Sequence, residues 1–338
     1  EGWVGALDLA VEAMSRDQLV PLWPEAVAPV TRDWLTRTVE AGEFTDARLA
    51  LRLPAQGEME TGLSLRADHV RFRPTASLPA FEDAEGFVSL DAHRLAARVH
   101  RAVLPVEGGA PVVLADAVAL IEDVRPRDAV LRVETEAEAQ IPTVLRLLNW
   151  PVFRGGETGA GLPFAPDDLT GTAAVHLGLS IPVNHPEGQP PQIRYDGTGR
   201  LTDVASSVLL PGRTVTAAAL AVRFSSERVA ISGPVAADGL PADVIWQRDL
   251  TPGTTQSRIE FTAPMTREAL ASFGLPLKPG EMQGAGRVSG TVVLTEDQAP
   301  RLSLDADLTG ASLRLAGLGW RKGAEQGGTV HLEGNLGQ

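Results

Sequence analysis

Six histidines, His69, His93, His100, His176, His185 and His331, are the side chains best suited to hold a metal or move a proton at neutral pH. They form no His-Glu-x-x-His and no close pair of zinc-like spacing. His93 and His100 stand among Arg94, Arg98 and Arg101, which predicts a solvated face. The chain has no cysteine, which removes disulfides, thiolate metal sites and cysteine nucleophiles. No serine lies in Gly-x-Ser-x-Gly, the usual nucleophile elbow. Gly284-Ala285-Gly286 precedes a predicted strand and Gly159-Ala160-Gly161 runs into Pro163, so neither opens a helix onto a phosphate. Asp167-Asp168 and Glu82-Asp83-Ala84-Glu85 offer paired carboxylates for acid/base work, but they read as solubilising acidic loops. No catalytic residue, metal or cofactor is predicted. An all-β hydrolase stays open as an alternative, since its carboxylates need not be neighbours in sequence.

The elements that would position any site are strands. Apolar residues alternate with polar or small ones, the period of a sheet with one buried face. Trp3, Gly5, Leu7, Leu9 and Val11 fall on one face. The same period runs through Leu49, Leu51 and Leu53, then Leu63, Leu65 and Ala67, then Val175, Leu177, Leu179 and Ile181. It continues through Leu220, Val222 and Phe224, Val229 and Ile231, Val292 and Leu294, and Leu302, Leu304 and Leu308. Fourteen to seventeen strands are expected. The 34 glycines and 25 prolines punctuate them, as in Leu210-Pro211-Gly212, Thr251-Pro252-Gly253 and Lys278-Pro279-Gly280.

Three segments have helical spacing instead. In the first, Val27, Val30, Trp34, Thr38 and Ala41 recur at threes and fours, with Pro24 near the start and Gly42 as terminator. Trp23 and Trp34 would anchor it on the sheet. The second carries Ile141, Val144, Leu145 and Leu148, with Pro142 in the first turn and Pro151 as a stop. The third has Thr266 as N-cap, Glu268 in the first turn, Met265 and Leu270 as a staple, and Gly274 at its end. Each is followed by a glycine leading into a strand, at Gly42, Gly171 and Gly284. This predicts a degenerate repeat of a helix and then meandering strands: a first unit over 1–140, a second over 141–264, and the start of a third over 265–338.

Of the residues 43% are apolar and 22% charged, so the chain is too apolar for a disordered acidic tail. Its 30 basic and 43 acidic side chains leave a net charge of −13. That argues against nucleic acid, whose phosphates require clustered Lys and Arg. No apolar run reaches the 18 residues of a membrane helix. The chain opens on Glu1 and closes on a Gly-rich stretch, which reads as a section of a longer protein with any signal or anchor outside it. So many strands cannot stay flat in water with one apolar face exposed. They are expected to curl into either a closed core or a long curved gutter open to an apolar ligand.

The segment Leu22-Trp23-Pro24-Glu25, then Thr31-Arg32-Asp33-Trp34-Leu35, then Gly42-Glu43-Phe44-Thr45-Asp46-Ala47-Arg48-Leu49-Ala50-Leu51, resembles a signature of the YhdP branch of the AsmA-like proteins. Val144 to Leu148, Gly171-Thr172, Gly197 to Leu201 and Ser226 to Val235 resemble that family's helix and Gly-led strands. The resemblance implies a mainly β, elongated, curved antiparallel groove with short helices at repeat joints. It also implies a periplasmic location, held at the inner membrane of a Gram-negative bacterium by an anchor outside this section. The implied function is phospholipid transport and outer-membrane maintenance, with acyl chains as the ligand, possible envelope proteins as partners and no enzymatic step. The groove candidates are alternate strand positions: Leu49, Leu51, Leu63, Leu65, Val175, Leu177, Leu179, Val222, Phe224, Val292, Leu294, Leu302 and Leu304. Alternation alone equally allows these residues to pack in a closed core. A closed β-scaffold or interaction module of an envelope assembly is therefore the alternative.

Overall fold

The computed structural model describes residues 4–23, 29–56, 59–74, 78–150, 165–183, 192–250, 256–295, 298–315, 317 and 319–335. The chain begins β1 (Gly5–Ser15), α1 (Arg16–Leu22), α2 (Pro29–Thr38) and β2 (Val39–Leu53). Five strands follow: β3 (Glu60–Phe72), β4 (Phe81–Asp91), β5 (Arg94–Leu104), β6 (Val112–Ile121) and β7 (Val130–Gln140). Helix α3 (Ile141–Leu148) leads to β8 (Leu169–Pro182), β9 (Arg194–Leu210), β10 (Arg213–Ser225), β11 (Arg228–Ala237), β12 (Leu240–Asp249) and β13 (Gln256–Met265). After α4 (Arg267–Ser272) come β14 (Met282–Gly284), β15 (Gly286–Thr295), β16 (Arg301–Asp307), β17 (Ala311–Leu315), β18 (Trp320–Lys322) and β19 (Thr329–Asn335).

The chain is thus mainly β, as the alternation predicts, and it forms an open antiparallel sheet with short helices at its joints, the one of the two expected arrangements that the resemblance implied. Hydrogen-bonded order follows chain order from β1 to β13 and then through β15, β16 and β19, while β14, β17 and β18 form a small separate sheet. The helices interrupt the meander after β1, β7 and β13, six strands apart. Two compact units divide the chain: Glu1–Pro166 with Thr172–Gly199, and Asp167–Gly171 with Arg200–Gln338.

In the first unit the register stacks apolar side chains across strands. Leu9, Leu49, Leu63, Leu90, Leu95 and Ile121 form one row from β1 to β6. Leu65, Val88, Ala97, Ala119, Val133 and Leu179 form a second from β3 to β8. Paired residues share a face, so these rows are continuous apolar bands. Part of this face is sealed. Leu19 and Trp23 of the α1 segment join Met14, Val39, Phe44, Leu65 and Val70 in one buried cluster. Leu147 and Trp150, at the end of α3, pack against Leu104, Val106 and Val112.

A recurrent β-bulge is built into these strands. Asp46, His69, Asp83 and Asp116 have φ near +50° in β2, β3, β4 and β6, and each lies at a break in the strand register. Asp203 in β9 adopts the same conformation. A small apolar residue follows each one and is buried: Ala47, Val70, Ala84, Ala117 and Val204. The extra residue points its polar side chain outward and tightens the local right-handed twist.

Several expectations about the helices and loops need correction. The first predicted helix ends at Thr38, and Ala41 and Gly42 lie inside β2. Gly42 does not terminate a helix. With φ of +155°, it sits so close to β3 that an added Cβ would come 2.7 Å from Val70 Cγ2. Pro24 and Val27 fall outside the described residues. Helix α1 was not expected, although Ser15 and Gln18 carry a capping-box signal and the Ser15 amide donates to Gln18 Oε1 at 2.9 Å. Glu82-Asp83-Ala84-Glu85 is not a loop but part of β4, its alternation broken by the bulge at Asp83. Asp167 and Asp168 lie in a single 3-10 turn, Pro166–Asp168.

The other two helices follow their caps. Pro142 occupies the first turn of α3. Thr266 Oγ1 accepts from the Ala269 amide at 3.1 Å, and Gly274 leaves α4 with φ of +81°. Arg213 holds the C-terminal end of α4, donating to the Ser272 carbonyl and lying 4.3 Å over the Phe273 ring.

Candidate functional site

The second unit carries an apolar face six strands wide, and five of those strands have no buried residue. Val222, Ile231, Trp246, Ile259, Val292 and Leu302 pair in one row across β10, β11, β12, β13, β15 and β16. Val244, Phe261, Gly290, Leu304 and Leu332 form the row beside it. Gly290 is required there, since a Cβ would lie 2.5 Å from Phe261 Cζ and 2.6 Å from Leu304 Cδ2. The reverse face presents Arg223, Gln247, Arg258 and Arg301 in a polar row with Ala230 and Val293.

No described residue between 223 and 281 is buried. In the first unit Leu65 and Leu90 are only 3% and 2% exposed. The apolar residues that β11, β12, β13, β15 and β16 present to this face are instead half-buried, screened by their neighbours in the sheet. Such a face keeps its capacity to remove hydrocarbon from water, worth about 0.8 kcal/mol per methylene covered.

The predicted groove residues divide between the two units. Val222, Phe224, Val292, Leu294, Leu302 and Leu304 all lie on the second unit's apolar face, and of these only Val222 is buried. In the first unit Leu49, Leu63, Val175, Leu177 and Leu179 are half-buried, whereas Leu51 and Leu65 are buried. Leu65 belongs to the cluster under α1, and Leu177 stands opposite the buried Thr135. Sequence reasoning missed Trp246, Ile259 and Phe261. Ile259 and Phe261 alternate cleanly with Arg258, Glu260 and Thr262, a signal that was available. Trp246 was harder to find, because Ile245 beside it breaks the period and is 42% exposed on the reverse face.

Polar chemistry gathers on the exposed faces. His69 Nδ1 lies 2.7 Å from Asp83 Oδ1, and with Glu85 these two residues bring three ligand atoms within 4.8 Å of one another. Two facing bulges create this grouping, which sequence spacing does not show. The hydrogen bond to Asp83 raises the His69 pKa. His331 Nδ1 lies 2.8 Å from Asp305 Oδ1 and its Nε2 lies 3.3 Å from Glu333 Oε1, contacts that raise its pKa too. Arg125 grips Asp123 through backbone and side chain, holding that carboxyl down to about 2. His100 and His176 are exposed and His93 is half-buried; His185 falls outside the described residues. Gly284 and Gly286 serve close backbone approach to Gly310 and Asp307, and a strand follows them.

Comparison of the chain with family models, curated proteins and solved structures returns no match in any of the three. Among the described residues no helix is long and apolar enough to cross a membrane.

Proposed function

We propose that this protein shelters the acyl chains of phospholipid on the apolar faces of its open sheet, as the periplasmic part of a lipid-transport protein of the Gram-negative envelope. One observation carries the reading: a row of large apolar side chains crosses six strands of the second unit, from Val222 to Leu302, and five of those strands, β11, β12, β13, β15 and β16, have no buried residue. The mechanism is physical. Side chains of similar character recur at every second strand position and at every strand spacing of about 4.8 Å, which gives many near-equivalent sites. A chain moves among them by small steps, each losing and regaining a few methylene contacts. The resemblance of Leu22 to Leu51 to the AsmA-like signature supports the envelope setting and the anchor outside this section.

Trp246 supplies the test. Phospholipid brominated along its acyl chains should quench tryptophan fluorescence, and Trp246→Phe should remove most of that quenching. Equal quenching in the variant, or none in the wild type, sinks the reading.

A second reading, an interaction module of an envelope assembly, draws on the sheet edges. Leu7 and Leu9 on β1 are 52% and 43% exposed, and Val330 and Leu332 on β19 are each 50% exposed. Edges of this kind pair with other strands. Concentration-dependent self-association abolished by Leu332→Lys, without lipid quenching, would favour it.

A further inference from the structure

We propose that Arg248 anchors the phosphate of a phospholipid whose two tails lie along the second unit's apolar face. The proposal rests on the acyl-sheltering reading above and adds the head group to it. Register places Arg248 on the same face as Trp246, in the row Val229, Arg248, Ser257 and Leu294. By that register the one other charged residue on this face, among the described residues of β10 to β13, β15 and β16, is Arg213 at the start of β10, which lies 3.2 Å from Asp238. Arg248 is half-buried, and while its backbone pairs with β11 and β13, its side chain makes no ion pair or hydrogen bond to another described residue. Two arginines nearby on the reverse face are neutralised: Arg228 lies 2.7 Å from Asp249 and Arg258 lies 2.7 Å from Glu260.

An unpaired guanidinium at the end of an apolar face is complementary to an anion attached to hydrocarbon. Its planar fork donates two parallel hydrogen bonds to a phosphate, and the apolar surroundings strengthen that attraction. Ser257 is paired with Arg248 on the same face and supplies a hydroxyl beside the fork. Arg248 is the penultimate residue of β12, so the head sits at the rim and the tails run inward. From Arg248 to Leu240 the strand extends about 27 Å, more than the roughly 15 Å depth of one bilayer leaflet. Ile231 and Ile259 flank Trp246 on either side. One tail therefore has an apolar track over β11 and the other a track over β13.

The test uses the full chain and native mass spectrometry with three probes: dioleoylphosphatidylglycerol, dioleoylglycerol and oleate. Wild type should bind the phosphatidylglycerol about tenfold to a hundredfold more tightly than the diacylglycerol, the range expected for charge-assisted hydrogen bonds. Arg248→Gln should remove that preference and leave diacylglycerol binding intact, with Arg248→Lys in between. Arg258→Gln, on the reverse face, should change neither. An unchanged preference in Arg248→Gln, or an equal loss in Arg258→Gln, overturns the anchor while leaving acyl sheltering in place. Oleate bound more tightly than phosphatidylglycerol overturns the phospholipid head in favour of a carboxylate. No binding of phosphatidylglycerol or diacylglycerol by the wild type overturns both readings.

Discussion

Lys322 is the one buried charged side chain among the described residues. Its Nζ donates to the carbonyl oxygens of Leu308, Ala311 and Gly323 at 2.7, 2.9 and 3.1 Å. A lysine is tolerated there because its three donors meet three acceptors, so the charge is fully hydrogen-bonded. Lys322→Met keeps much of the packing but removes three charge-assisted hydrogen bonds, leaving the Leu308 and Gly323 carbonyls only the Ala311 and Gln326 amides. It should lower stability in urea denaturation by about 1–3 kcal/mol, the range for hydrogen bonds to a charged group. His331 gives a prediction in pH. Its pKa is raised from 6.5 by Asp305 and then Glu333, so the folded state binds its proton more tightly than the unfolded state. The stabilisation is full below about 6.5 and fades as pH rises through the raised folded value. An NMR titration should find the His331 midpoint above 6.5, and Asp305→Asn should bring it down; a midpoint unmoved by that change would disprove the pairing.

The bulges set the character of the strands. L-residues with β-branched side chains resist φ near +50°, whereas Asp and Gly accept it. Asp46→Gly should therefore be close to neutral, while Asp46→Val should cost about 1–2 kcal/mol in the same denaturation measurement. Equal effects of the two changes would show that backbone conformation is not what selects Asp there. The bulges also mark where the sequence stopped being legible. Alternation foretold the strands, because one half-covered face forces period two, but it left an open sheet and a closed core equally allowed, and only the resemblance implied the open antiparallel class. Thr266, Pro142 and Gly274 foretold two helices, because capping chemistry is local. Inside β4 the extra residue Asp83 shifts the period by one, so an acidic strand reads as a loop. Short strands such as Met282–Gly284 and Trp320–Lys322 hold too few residues to show any period. The apolar rows themselves depend on register, which joins Trp246 to Ile259 and Val292 only after pairing is known. Alternation by itself left Leu65, sealed under α1, indistinguishable from Leu304 on the half-covered face.

For the chain as a whole, the net charge of −13 makes adsorption to anionic bilayers unfavourable. Co-sedimentation should therefore leave the protein in the supernatant with phosphatidylglycerol vesicles at low salt, and strong pelleting would contradict that expectation. Lipid would then have to reach the apolar face by a route other than general electrostatic attraction. The strand order has one more consequence, and it concerns how the protein forms. Each strand of the main sheet bonds to the strand next in line along it, so contact order stays low for so large a β-protein, and hairpins such as Asp91 with Arg94 close over two residues. The loop-closure cost is concentrated where helices intervene, as between β1 and β2 and between Val130 and Pro182 across α3. Folding should therefore zip hairpin by hairpin and pause at the helices, so that a nascent chain completes six-strand blocks in the order in which they are synthesised.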